Sequence, residues 1–143
     1  GYYFKNLHIA VDRGRVKSRA ETMRRAGLAL DRGSSMVLFP EGGIYTQNPP
    51  QLVPFKNGAF RLAMEKQIPI IPVTLSYNHV ILADQKELIL KRMPAKMVLH
   101  QALHPAAFAT DEQLKDRCFE VIQEQLLKDN PATSTPENLP NPS

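Results

Sequence analysis

The segment Phe39-Pro40-Glu41-Gly42-Gly43 places a carboxylate and two glycines directly after the apolar run Met36-Val37-Leu38-Phe39. Paired glycines let backbone N–H groups approach an anionic oxygen closely, and ligands of open α/β sheets sit beyond the carboxyl ends of strands. The chemistry such a segment suits is the capture and orientation of an anionic substrate. Arg13, closing the run Leu7-His8-Ile9-Ala10-Val11-Asp12, can offer a guanidinium fork to a phosphate, where a lysine supplies only a point charge. Lys56, in Val53-Pro54-Phe55-Lys56-Asn57-Gly58, is a second candidate phosphate contact. Glu41 would repel a phosphate it faced, so it is expected to hold a basic residue or to accept a hydrogen bond from a substrate hydroxyl.

Other reactive side chains fit structural roles better. His100 and His104 have the spacing of helical metal ligands, but the pattern around them is a strand ending at Pro105, and the spacing needs a helix to bring both nitrogens to one ion. No metal site is expected. The single Cys118 excludes an internal disulfide and a thiolate cluster, and its spacing from Leu114, Val121 and Ile122 makes it a core residue.

The elements that must position these residues are readable from periodicity and caps. Residues 7 to 12 and 35 to 40 read as strands, and Ser18-Arg19-Ala20-Glu21 as a capping box opening a helix to about Arg32, with Gly33 as its stop. Ala20, Met23, Ala26 and Leu30 give that helix an apolar face. Strand, helix and strand with short connections make a right-handed βαβ unit, which brings Asp12-Arg13 and Glu41-Gly42 to one sheet edge. Prolines 49, 50 and 54 make residues 44 to 57 an ordered loop over that edge. A short helix over 58 to 67 and a strand over 70 to 75 follow, the strand irregular because of Pro69 and Pro72. Residues 87 to 92 and 96 to 101 read as further strands able to pair antiparallel. Thr110-Asp111-Glu112-Gln113 caps a last helix whose stripe is Leu114, Cys118, Val121, Ile122 and Leu126. The fold class expected is α/β, a mixed, mainly parallel sheet flanked by helices, in a single domain over residues 1–128. Residues 129–143, rich in Pro, Asn, Ser and Thr, are expected to form a disordered tail.

A chain of 143 residues with 43% hydrophobic residues suits one domain with its own core. Its apolar runs fall far short of the roughly 20 residues a membrane-spanning helix needs. The net charge is +4, and Arg13, Arg15, Lys17, Arg19, Arg24, Arg25 and Arg32 crowd one stretch against only Glu21 and Asp31. Basic density of this kind favours an anionic partner, either a phosphorylated substrate or a phospholipid surface. With no Trp and no recognisable RNA-binding or helix-turn-helix signature, nucleic acid is not an expected partner.

In order along the chain, Val11-Asp12-Arg13, Phe39-Pro40-Glu41-Gly42-Gly43, Pro54-Phe55-Lys56-Asn57-Gly58-Ala59-Phe60 and Ile68-Pro69-Ile70-Ile71-Pro72-Val73 resemble blocks of the glycerophospholipid acyltransferase family. The resemblance covers residues 1 to 128. It implies transfer of a fatty acyl group from acyl-CoA or acyl-carrier protein to the free hydroxyl of a lysophospholipid such as 1-acyl-sn-glycerol 3-phosphate. It implies no cofactor, an acceptor site at Arg13, Glu41, Gly42, Gly43 and Lys56, and work at the cytoplasmic face of a membrane, with the basic helix toward anionic lipid. The family's catalytic pair, a His-x4-Asp motif, precedes the Val11-Asp12-Arg13 block and is therefore expected upstream of Gly1. A start at Gly1 rather than Met agrees with sequence lost by processing or truncation, and this chain alone is expected to be inactive. His8 does not supply the pair, because Asp12 stands one position too near. Asn78-His79-Val80-Ile81-Leu82-Ala83-Asp84 matches the motif's letters but follows the last block instead of preceding the first. His79 and Asp84 are read as a decoy, with a relocated dyad as the alternative. The chain also departs from the family where Gly43-Ile44-Tyr45 replaces the usual Thr-Arg-Ser continuation, which removes a phosphate-binding Arg that Lys56 or Arg61 could replace. The rival to an enzyme is a catalytically inactive module that binds a lipid or phosphometabolite.

Overall fold

The structure is a computed structural model that describes residues 16–42, 49–77 and 95–130, with the backbone alone described for residues 16–19. The expected strands at 7–12 and 87–92 lie outside the described residues, as do the loop residues 44–48 and the tail from 131 onward.

Helix α1 runs Val16–Asp31. It already includes Ser18, the expected cap, as a helical residue. Glu21 instead accepts two 2.8 Å hydrogen bonds from Nε and Nη2 of Arg24, one turn along, a pairing that competes with any reach back to the helix start. The stop falls where expected: Gly33 takes φ 81°, its N–H donates to Leu30 O at 2.9 Å and the Ser34 N–H to Ala29 O at 3.1 Å. That is a Schellman cap, which calls for a left-handed residue in Gly33's place. Ala26 is fully buried, while Ala20, expected on the same face, is exposed.

Helix α2 runs Gly58–Lys66 and crosses α1 at a point of close approach. A β-carbon at Gly27 would lie 3.5 Å from both Leu62 Cδ1 and Lys66 Cε. The two C-terminal ends are tied by Lys66, whose ammonium donates to both carboxylate oxygens of Asp31 at 2.8 and 2.7 Å. Bonding to Asp31 raises the Lys66 pKa above its ordinary value.

Residues 35–40, expected to form a strand, belong to none. Val37 is 86% and Phe39 71% exposed. A strand exists only through a ladder partner, and the partner expected for this segment, 7–12, is not among the described residues. The sheet that is described has two antiparallel strands, β1 Val73–Ser76 and β2 Lys96–Leu99, with Val73 opposite Leu99 and Ser76 opposite Lys96. An isolated bridge extends the pairing from Ile70 to Leu103. Between the two stretches, residues 71 and 72 face 100, 101 and 102, which makes a bulge where Pro72 cannot donate to a ladder. The Pro72 carbonyl still accepts from the His100 N–H at 3.0 Å. The expected irregularity at Pro72 is thus a shift of register by one residue. One face of the ribbon buries Thr74 and Ser76 completely, and the other leaves Val73, Met97 and Leu99 exposed.

Helix α3, Asp111–Asp129, packs on both β1 and α2. Thr110 caps it by accepting from the Gln113 N–H at 3.2 Å. The expected return bond from the Gln113 side chain goes one residue further, to the Ala109 N–H at 2.9 Å. The helix includes Asp129, which was expected in the tail. Phe55, Phe60, Ala63, Leu114 and Cys118 form the core between α2, α3 and the loop before α2. Phe55 stacks on Phe60 with ring centres 6.2 Å apart and meets Phe119 edge-on at 5.1 Å, geometries that aromatic quadrupoles favour.

Candidate functional site

Pro40 and Gly42 stand at the second and fourth positions of a turn, where those residue types are preferred. The Gly42 N–H donates to Phe39 O at 3.2 Å, and Gly42 has φ 72°, a conformation other residues adopt only under strain. The turn exposes Gly42 and leaves Glu41 half-buried.

A second segment is bound to this turn through the main chain. The Lys56 N–H donates to the Pro40 carbonyl at 2.8 Å. The stem of Lys56 then passes beside Gly42, so that a β-carbon there would lie 3.6 Å from Cγ and 3.9 Å from Cε of Lys56. Sequence positions 41, 42 and 56, singled out separately, therefore converge. Lys56 is exposed and makes no ion pair among the described residues, so its ammonium can meet an incoming anion. Arg13 and Gly43, from the same expected set, lie outside the described residues, as do His79 and Asp84.

The charge of Glu41 is felt at Cys118 of α3. Burial raises the Cys118 thiol to a pKa of about 11, and the negative charge of Glu41 adds to the rise. Among the described residues Glu41 has no basic partner.

The loop that delivers Lys56 is fastened to α3. The Leu52 N–H donates to Gln123 Oε1 at 2.8 Å and Gln123 Nε2 donates to the Pro50 carbonyl at 3.3 Å. Phe55 is buried between Phe60 and Phe119. Just past Lys56, Asn57 accepts from Lys115 Nζ at 3.1 Å and donates to Glu112 Oε1 at 3.4 Å. Sequence reading missed Gln123, although one signal was present: it stands four residues after Phe119 and beside Ile122, so an amide borders the apolar stripe of α3.

Two clefts lie elsewhere. One of about 420 Å³ opens between residues 100–103 and α3, with Arg117, Glu124 and Lys128 on its rim. The other, about 240 Å³, runs between α1 and α2. Arg61 lines the second cleft, so it faces α1. His100 Nε2 lies 2.8 Å from Thr74 Oγ1, a sheet-side partner that accounts for it without a metal. Among the described residues no cluster of three or more His, Cys, Asp or Glu could hold one.

A family model described as Acyltransferase matches residues 3–76, a span that contains both halves of the Gly42 and Lys56 pairing. The chain belongs to the acyltransferase family. Among curated relatives of this acyltransferase chain, the chloroplastic 1-acyl-sn-glycerol-3-phosphate acyltransferase BAT2 of Brassica napus is 28% identical over 88 residues, covering 62% of this chain and 25% of that protein. A putative 1-acyl-sn-glycerol-3-phosphate acyltransferase of Caenorhabditis elegans, acl-2, is 41% identical over 78 residues, covering 53% of this chain and 26% of the relative. The chain spans about a quarter of the length of the first curated relatives it matches. The crystal structure of the 1-acyl-sn-glycerophosphate acyltransferase PlsC from Thermotoga maritima superposes with a TM-score of 0.65 at 20% identity, over 75% of this chain and 43% of PlsC. That likeness gives the fold, and the α/β class read from the sequence agrees with it. The resemblance drawn from the motif blocks is likewise borne out.

Proposed function

We propose that the protein carrying this acyltransferase-family chain transfers a fatty acyl group from acyl-CoA or acyl-carrier protein to the free hydroxyl of a lysophospholipid such as 1-acyl-sn-glycerol 3-phosphate. The observation that carries this reading is the convergence of Glu41, Gly42 and Lys56 inside the matched span. The names of the relatives support it, since curated proteins from Brassica napus and Limnanthes alba are called 1-acyl-sn-glycerol-3-phosphate acyltransferases.

In this reading the acceptor's phosphate sits against the Lys56 ammonium and the Arg13 guanidinium, with the Gly42-Gly43 backbone close enough to donate N–H bonds. Glu41 accepts from a glycerol hydroxyl. A His polarised by an Asp takes the proton as the hydroxyl oxygen attacks the thioester carbonyl. The carbon–sulfur bond then breaks, and the proton passes to the departing thiolate, giving an ester and a free thiol. No cofactor takes part. Acyl chains partition into bilayers, so the reaction is proposed to occur at the cytoplasmic face of a membrane. Peripheral attachment through α1 suits this, as Arg25 and Arg32 are exposed there and Leu28 is 43% exposed. Among the described residues no helix is long and apolar enough to cross a membrane.

The test is steady-state acyl transfer by the full-length protein with Arg13→Ala and Glu41→Gln. Each is expected to lower kcat/KM for the acceptor about 10- to 100-fold by loosening its placement. His79→Ala is expected to leave turnover unchanged. Unaltered kinetics for both site variants would remove the proposed site. Acceptor binding without turnover in the unsubstituted protein would make it a binding module.

A further inference from the structure

The acceptor site is built from a turn and a loop, neither of which is anchored by helix or sheet bonds of its own. Lys56 owes its place beside Gly42 to one main-chain bond, Lys56 N–H to Pro40 O at 2.8 Å, and to whatever holds the loop before it. Two adjacent turns of α3 do that holding. Phe119 packs edge-on against Phe55, immediately before Lys56. Gln123, one turn further along the same face, uses both ends of its amide on the loop backbone, accepting from Leu52 N–H at 2.8 Å and donating to Pro50 O at 3.3 Å.

We infer that Gln123 is a positioning residue for the acceptor site, acting through the 50–56 backbone to set the Lys56 ammonium against Gly42. The inference rests on the acceptor-site reading above. A carboxamide is the side chain that can serve a neighbouring N–H and C=O at once, because it carries a donor and an acceptor on one planar group. Leucine in its place removes both bonds and strands two partly buried backbone groups. Glutamate keeps the acceptor for Leu52 and sets a second oxygen against the Pro50 carbonyl. The pull is relayed through three residues to Lys56, with Phe55 as the fixed point between them, since that residue is only 6% exposed. Gln123 itself touches no proposed substrate position.

The experiment is a double-mutant cycle on the full-length protein, with 1-acyl-sn-glycerol 3-phosphate as the acceptor. Gln123→Leu is expected to raise the acceptor KM about 3- to 10-fold while leaving kcat at saturation and the donor KM unchanged. Gln123→Glu should fall between it and the unsubstituted protein. In a Lys56→Ala background, Gln123→Leu should add nothing further, because the group it positions is gone. Hydrogen exchange supplies a readout independent of activity: the Leu52 and Lys56 amides should exchange faster in Gln123→Leu while those of α1 do not. Additive KM effects, or a fall in Tm with both KM values and loop exchange unchanged, would reduce Gln123 to a packing role and overturn the inference. A Lys56→Ala protein with a normal acceptor KM would instead overturn the site reading beneath it, and the two failures are told apart by that single variant.

Discussion

Ser76, fully buried in β1, donates a 2.6 Å hydrogen bond to Oδ2 of Asp129, the last residue of α3. The other oxygen of Asp129 accepts from Lys96 Nζ at 2.7 Å and Gln125 Nε2 at 2.8 Å. One carboxylate thus joins both strands to the end of the helix that packs on them. Bonding to Lys96, then to Ser76 and Gln125, holds its pKa at about 2, against an ordinary 3.8. A depressed carboxylate contributes stability above its unfolded pKa and loses it as pH falls through the folded value. Urea midpoints of the unsubstituted protein should therefore fall between about pH 4 and pH 2. Asp129→Asn should be less stable at pH 7 and converge with the parent near pH 2. Parallel pH profiles for the two proteins would refute this.

Gly27 and Gly33 should respond to alanine in opposite directions. Gly27 is inside α1, and a methyl group there meets Leu62 and Lys66 at an ordinary 3.5 Å. Gly27→Ala should stabilise by about 0.5–1 kcal/mol through helix propensity. Gly33 has open space around it but φ 81°, so Gly33→Ala should cost about 1–2 kcal/mol through backbone strain. Thermal unfolding of both variants decides the matter, and equal signs would contradict the reading of one of them.

Cys118 should be inert in the native protein. With burial and the Glu41 charge lifting its pKa to about 11, roughly one thiol in a thousand is ionised at pH 8. Iodoacetamide should label it slowly in buffer and completely in urea. Because the Glu41 charge contributes to the shift, Glu41→Gln should speed native labelling by a small factor. Rapid labelling of the native parent would show that the core around Phe55 and Leu114 opens.

The membrane attachment proposed for α1 would draw on the charges of Arg25 and of Arg32 just past the helix end, both of which are exposed. Arg25→Gln with Arg32→Gln should weaken binding to vesicles containing phosphatidylserine, by about 5-fold for each arginine replaced, and leave binding to neutral vesicles unchanged. Equal binding of the parent to both kinds of vesicle would remove α1 as the membrane-facing element.

Local signals and tertiary ones were unequally legible. The stop at Gly33 and the cap at Thr110 could be read because the groups that make them lie within a few residues of each other. Pro72 announced an irregular strand for the same reason, since a missing N–H is a property of the residue itself. The helix start was misplaced because Glu21, read as part of a capping box, pairs with Arg24 one turn along and Ser18 is itself helical. The segment 35–40 misled because an apolar run says nothing of whether a ladder partner is present. At the site, Glu41, Gly42 and Lys56 were legible as letters of motif blocks. Their approach to one another was not, because it rests on one bond between Lys56 and Pro40 and on a face of α3 more than sixty residues downstream.

The match to the family ends at residue 76, whereas Gln123, Phe119 and Lys115, which grip the loop carrying Lys56, all belong to Asp111–Asp129. What identifies the protein and what keeps its site in shape are thus separate stretches of chain. A fragment trimmed to the recognisable region would keep every motif letter and lose the splint that sets them. On the positioning role inferred for Gln123, substitutions in Asp111–Asp129 would act on acceptor affinity from outside the residues 3–76 that the family model matches.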